Sequence, residues 1–290
     1  MALRSETKIP VLPVRAIRLQ RSRGRLEVAW KRRGAKTVID RLYQDGAFKA
    51  RLPRDAERGC PDVALINLSG GLTGGDRMHG RLHFRAGTRA GATTQAAEKI
   101  YKTFQGVTEV TTDLIIEDGA WAEWLPQETI LFDGAALDRR LRLSIAPTAR
   151  ALVVEPVVFG RLAMGEVAAS IRFTDRLEVR NGEHLAWLDV TRIVPPTAPL
   201  LDRPALGGGL RALATVLYLA PDAADALPVV RDALDDLPVR GAATRLDGLV
   251  VVRFHDADPL RLRFGLVTLL TRLRVALGGL PPRLPRLWHS

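Results

Sequence analysis

Short runs in which apolar and polar residues alternate recur along most of this 290-residue chain, and they constrain its fold more than any other feature. Arg25-Leu26-Glu27-Val28-Ala29-Trp30 alternates and breaks at Lys31-Arg32-Arg33-Gly34. Residues 37–43 return, Gln44-Asp45-Gly46 turns again, and residues 47–52 follow. The first 60 residues therefore read as half-buried antiparallel strands. Residues 81–85, 114–117, 121–124, 140–145 and 151–154 continue the pattern, with breaks at Asp118-Gly119 and Pro147. Residues 176–180 meet Asn181-Gly182, a strong hairpin signal, and residues 184–190 return. Strands about every 8–12 residues with little helix between them argue for a β-sandwich, a barrel or a solenoid, and alternation alone does not choose among these.

Helices are few. Residues 226–237 are compatible with a short helix disturbed by Pro228, and residues 259–277 give the firmest pattern. Asp258 is placed as N-cap and Pro259 as N1. Leu266, Leu269, Leu270, Leu273, Ala276 and Leu277 form an amphipathic stripe, and Gly278-Gly279 followed by Pro281-Pro282 stops it. Its polar face would carry Arg261, Arg263, Arg272 and Arg274. The proline-rich basic tail beyond it is a candidate partner-binding extension. Residues 195–210, rich in proline and glycine, read as a surface loop. No linker is long or polar enough to divide the chain, so residues 1–290 are expected to form one domain.

One stretch resists the strand pattern. Leu65-Ile66-Asn67-Leu68-Ser69-Gly70-Gly71-Leu72-Thr73-Gly74-Gly75-Asp76 runs an apolar strand into two glycine pairs. So many glycines weaken a strand interior, so they mark a tight corner. Asp76 is expected to accept hydrogen bonds from the corner's free N–H groups. A phosphate cradle fits poorly. The P-loop lysine and hydroxyl are replaced by Asp76-Arg77, and the order G-G-x-x-G-G is not that of a dinucleotide fingerprint.

Charge and composition exclude further classes. The net charge is +11, and the ends carry the surplus: residues 1–58 hold 16 Lys/Arg against 6 Asp/Glu, and residues 260–290 hold 6 against none. Aromatic residues make up 6%, too few to interleave a nucleic-acid footprint, so no nucleic acid is expected as a partner. A basic-rimmed β-fold module for nucleic acid or acidic polymer stays as the alternative reading. No apolar run reaches the ~18–20 residues of a membrane span. Met1–Lys8 lacks the apolar core of a signal peptide, and a single cysteine, Cys60, rules out an intrachain disulfide framework. A cytoplasmic protein is the expectation.

Catalytic and metal chemistry find little purchase. His79 and His83 are four apart on an alternating strand, which separates them by ~13 Å, too far to share an ion. His184 stands alone beside a turn, His255 lies among Asp256 and Asp258 as the best isolated candidate, Cys60 reads as buried, and no His/Cys cluster has metal-site spacing. No G-x-S-x-G is present, and Cys60 has no histidine close in sequence. Glu128, Glu155 and Glu166 are available acids for a glycosidase, but their spacing does not bring them together. Asp76, Glu98, Glu128, Asp133, Glu155 and Glu166 all adjoin apolar or glycine-rich segments. Each either caps a turn or pairs an arginine, or several of them line an internal water-filled passage.

Four co-linear segments carry a resemblance. Gly70-Gly71-Leu72-Thr73-Gly74-Gly75-Asp76 with Thr93-Thr94-Gln95-Ala96 and Lys99-Ile100-Tyr101, then Glu123–Gly134, then Phe159-Gly160-Arg161-Leu162-Ala163-Met164-Gly165-Glu166, and the closing Pro285-Arg286-Leu287-Trp288, resemble the urease accessory protein D family (UreD, also called UreH). Glu98 stands where that family often has a small polar residue. The resemblance implies a mainly β, elongated β-helical or solenoid-like fold, or stacked antiparallel sheets, with about two helices, one near the C-terminus. It implies a non-catalytic urease maturation factor, a metallochaperone scaffold binding apo-urease and the accessory proteins F and G, the latter a GTPase, as a dimer within a larger complex. No cofactor would be tightly bound. Ni²⁺ would be in transit through an acid-lined passage, with Glu166 the first candidate, then Asp76 and Glu155, then Asp133 and Glu128.

Overall fold

The computed structural model describes residues 20–53 and 58–289. Met1–Lys8 and the share of the basic surplus on residues 1–19 lie outside the described residues.

The chain winds between two sheets. Strands β1 (Arg23–Arg33) and β2 (Lys36–Gly46) form an antiparallel hairpin in the first sheet. The chain crosses to β3 (Phe48–Arg51) and β4 (Asp62–Asn67) in the second, and returns as β5 (Arg77–Phe84). It crosses again to β6 (Arg89–Thr94) and β7 (Glu98–Ile100), returns as β8 (Thr108–Ile116), and crosses to β9 (Trp121–Leu125) and β10 (Thr129–Leu131). It returns as β11 (Ala136–Ile145), crosses as β12 (Arg150–Phe159), and closes the first sheet with the hairpin β13 (Arg172–Asn181) and β14 (His184–Ile193). Helix α1 (Thr197–Asp202) leads to β15 (Ala212–Leu219) in the second sheet. Helix α2 (Ala223–Asp235), the hairpin β16 (Arg240–Leu246) and β17 (Leu249–Asp256), and helix α3 (Pro259–Gly278) complete it.

Successive passes pair in parallel within each sheet, which makes a β-solenoid of about four turns. The sequence alternation specifies which face is buried. Parallel stacking in register specifies what meets what. Val28, Leu82, Leu114, Leu143 and Val179 lie side by side across β1, β5, β8, β11 and β13. Ala90, Ala122 and Ala151 form a facing row across β6, β9 and β12. Bulky residues on one sheet against small ones on the other let the sheets approach closely, and both rows are buried. Parallel pairing requires a crossover rather than a tight turn, and here the crossover is the opposite sheet.

Helices α2 and α3 cover the outer face of β12, β15 and β17. The sequence expectation for α3 holds at both ends: Asp258 accepts the Leu260 N–H (2.9 Å), Pro259 sits at N1, and Gly279 ends the helix in the left-handed region (φ 56°). Helix α1, six residues long, lies in the stretch expected to be loop, because one and a half turns show no periodicity. Arg274 is a correction. The helical stripe predicts it on the polar face of α3, but the tail folds back over it and buries it completely. No helix among the described residues is long and apolar enough to cross a membrane.

The glycine corner is as expected. Asp76 Oδ2 accepts the Thr73 N–H (2.8 Å) and Oδ1 accepts the Ser22 N–H (2.7 Å). A Cβ on Gly74 would lie 2.0 Å from Thr103 Oγ1, so the next turn of the solenoid packs directly against it.

Candidate functional site

Between the sheets, near the glycine corner, lies a cavity of about 280 Å³. Two interruptions in the second sheet open it. Gln95-Ala96-Ala97 separates β6 from β7, and Pro126-Gln127-Glu128 separates β9 from β10. Proline cannot donate to a ladder, so Pro126 breaks the strand where the wall steps outward. The two breaks are stitched together: the Gln127 N–H donates to Thr94 Oγ1 (2.9 Å), and its side-chain amide donates to the carbonyls of Thr94 (3.3 Å) and Gln95 (3.0 Å).

Two carboxylates line this cavity, Glu98 and Glu155. Glu98, the first residue of β7, lies opposite Thr129 of β10. Its Oε1 accepts the Asn67 amide (2.9 Å). Burial pushes its carboxyl up to about 7, and the bonds from Asn67 and the Lys99 N–H offset that rise only in part. Glu155 lies deeper. Its Oε1 accepts the Trp124 indole N–H (2.6 Å), and its Oε2 meets Arg139 Nη1 (2.6 Å). Burial raises its carboxyl above the usual range against the pull of Arg139. Arg139 also grips Asp175 through Nε (2.9 Å) and Nη2 (2.6 Å), and its Nη1 donates to Thr129 Oγ1 (3.2 Å). Burial works against the Arg139 guanidinium, but Asp175 and Glu155 outweigh it and hold it above its ordinary value.

The remaining acids singled out in the sequence are occupied elsewhere. Glu128 receives Arg263 Nη1 on both oxygens (2.8 Å each), and the same guanidinium donates to Gln127 Oε1 (3.3 Å) and the Trp288 carbonyl (2.9 Å). Glu166 accepts Arg161 Nε (2.6 Å) and the Asp133 N–H (2.5 Å). Asp133 Oδ1 in turn accepts the N–H groups of Ala169 (2.9 Å) and Ser170 (2.7 Å). These two acids tie the 133 turn to the loop after β12, and Arg161 covers the Phe132 ring at 4.3 Å. Asp76 caps its own corner. His79 and His83 point out of the first sheet to separate partners, Asp113 (2.8 Å) and Glu117 (2.6 Å).

Sequence reasoning missed the buried arginines. Arg139 and Asp175 are direct partners in the β11–β13 register. A signal existed: Arg139 occupies an inward slot between Leu137 and Leu141. A second cluster sits under the tail. There Glu123 Oε2 accepts Arg58 Nη2, and its Oε1 accepts Arg274 Nε (2.7 Å) and the Trp121 indole (3.1 Å). Cys60, Asp62 and Glu123 offer ligand atoms within 4.8 Å of one another, but two guanidiniums already fill their surroundings. Burial pushes the Cys60 thiol up to about 12, so the thiol stays protonated at neutral pH.

The resembling segments now have positions. Residues 92–101 and 123–134 supply the two broken walls of the cavity. Residues 70–76 and 159–166 supply solenoid corners, and the C-terminal Trp288 donates its indole N–H to the Leu125 carbonyl (2.9 Å). The family model described as UreD urease accessory protein matches residues 22–289. The urease accessory protein UreD of Paracoccus denitrificans is 39% identical over 273 residues, covering 94% of each chain. Those of Rhizobium leguminosarum bv. viciae and Ruegeria pomeroyi are 42% and 40% identical, covering 94% and 91% of this chain and 97% and 99% of theirs. This chain belongs to the UreD urease accessory protein family.

Proposed function

We propose that this chain is a non-catalytic scaffold in urease maturation, and that its inter-sheet cavity is one stretch of the route by which Ni²⁺, as cargo, reaches apo-urease. One observation carries the reading: the two family segments that break the second sheet wall a cavity containing Glu98 and Glu155. Its largely apolar lining, with two carboxylates and neither thiol nor imidazole, suits transient contact with a hydrated divalent ion, because tight closed sites draw on cysteine and histidine. Six waters at about 30 Å³ each fit within the cavity.

Apo-urease and the accessory proteins F and G are the partners in this reading, with GTP hydrolysis left to accessory protein G. The assembly is a cytoplasmic complex in which this chain occurs twice. Helix α3 offers accessory protein F a docking face, since Leu260, Phe264 and Val275 are exposed along one side. The basic-rimmed alternative loses support on the first sheet, where β5 cations meet β8 acids, as in Arg77 with Glu109 (3.0 Å).

The test is Glu98→Ala with Glu155→Gln. Assembly with accessory protein F is expected to persist, while the nickel content and activity of urease matured with this variant fall at least several-fold. Fully nickel-loaded urease would overturn the conduit reading for these two residues.

A further inference from the structure

Three clusters of buried acids among the described residues share one arrangement, a carboxylate held by a guanidinium, whereas Asp76 is held by backbone N–H groups. Glu123 takes Arg58 and Arg274, Glu128 takes Arg263, and Glu155 with Asp175 takes Arg139. In two of these pairs, Arg139 with Glu155 and Arg263 with Glu128, an acid lies at or beside the cavity. Only in the Arg139 pair do both the cation and its acid line it.

The geometry around Arg139 is that of a filled cation site. One planar guanidinium lies between two carboxylates, at 2.6 Å from Glu155 Oε2 and 2.6 Å from Asp175 Oδ2, with the Thr129 hydroxyl at 3.2 Å. Both carboxylates are shielded from water, and Trp124 fixes the second oxygen of Glu155. The cluster carries a net charge of −1 with the guanidinium in place and −2 without it. Two carboxylates and a hydroxyl form an oxygen donor set that divalent ions accept, and among first-row metals nickel binds such sets more tightly than manganese or iron.

We propose that Arg139 is a resident cation holding the place of a divalent ion between Glu155 and Asp175, so that the deep wall of the cavity does not trap metal passing it. This rests on the conduit reading for its biological meaning, but its chemistry belongs to the isolated chain. Arg139 is thus a specificity-determining residue: it keeps the cavity a place of passage rather than storage. A point-charge replacement, Arg139→Lys, retains the cation. A shorter neutral replacement, Arg139→Gln, removes the terminal nitrogens that meet Glu155 and Asp175 and vacates it.

The experiment is equilibrium dialysis of the full chain and its variants against NiCl₂, followed by desalting and metal analysis. Wild type and Arg139→Lys are expected to retain almost no Ni²⁺. Arg139→Gln is expected to retain about one ion per chain and to bind at least tenfold more tightly, and Arg139→Gln with Glu155→Gln is expected to lose that gain. A folded Arg139→Gln that binds Ni²⁺ no better than wild type overturns the proposal. Should Arg139→Gln fail to fold alone, refolding with and without millimolar Ni²⁺ becomes the readout. Restoration by Ni²⁺ supports the vacated site, and no restoration overturns it. Urease is absent from these measurements, so their failure leaves the conduit test with Glu98 and Glu155 standing, and the reverse also holds.

Discussion

Glu98 differs from Glu123, Glu128 and Glu155 in its company. Its hydrogen-bond donors are an amide and a backbone N–H, both neutral, and no guanidinium among the described residues pairs with it; these bonds and the Lys99 charge offset its burial only in part. Its folded-state pKa of about 7 lies above the ordinary glutamate value of 4.5. The folded protein therefore holds this proton more tightly than the unfolded chain does. The resulting stability is present below about pH 4.5 and is lost as pH rises through 7. The side chain is partly exposed, so the effect is on the order of 1–2 kcal/mol after allowance for solvent. Thermal melts of wild type are expected to fall by a few degrees between pH 5.5 and pH 8.5 from this group. Glu98→Gln should remove that part of the fall and match wild type at low pH. Parallel pH profiles for the two proteins would rule this out.

At the scale of elements, the parts that read well from the sequence were those specified locally. Asp76 caps a corner built from its own neighbours, and Asp258 and Gly279 end a helix within a turn of themselves. The β13–β14 hairpin follows from Asn181-Gly182. What did not read was set by parallel register between distant passes. Arg139 meets Asp175 only because β11 and β13 stack in one phase, and no local rule aligns segments 36 residues apart. The inward phase of Arg139 was visible, but its partner was not. The burial of Arg274 is likewise set at a distance, by Glu123 and the Arg58 carbonyl from early passes, with the tail carbonyls of Pro281 and Arg283 folded over it. Stacked corners make the same dependence testable. A Cβ on Gly74 would also lie 2.3 Å from the Gln105 carbonyl, which is backbone of the next turn and has little freedom to move. Gly74→Ala is expected to cost about 2 kcal/mol and to lower the melting temperature by about 5 °C. A melting temperature unchanged within one degree would show that the corners are not packed as tightly as this contact implies.

For the whole molecule, the C-terminal region joins two roles that a simple truncation confuses. The tail is part of the core: Leu280, Leu284 and Trp288 are buried, and Arg263 links the Trp288 carbonyl to Glu128 and Gln127 at the edge of the cavity. Removing residues after Gly279 exposes or deletes all of these and is expected to cost about 5 kcal/mol or more. Lost co-purification of that truncation with accessory protein F would therefore report unfolding as readily as docking. The outward side of α3 separates the two. Leu260 and Phe264 are 58% and 63% exposed on a helix whose opposite side is already packed against the second sheet. A helix apolar on two sides has one side too many for a chain that functions alone. Leu260→Ser with Phe264→Ser removes that second apolar side without touching the core, and its melting temperature is expected to stay within about 1 °C of wild type. If α3 is the docking face, this folded variant no longer retains accessory protein F while the cavity and its acids are unchanged. If it still retains accessory protein F as well as wild type does, the docking surface lies elsewhere, and any effect of the truncation belongs to the tail's part in holding the solenoid wall.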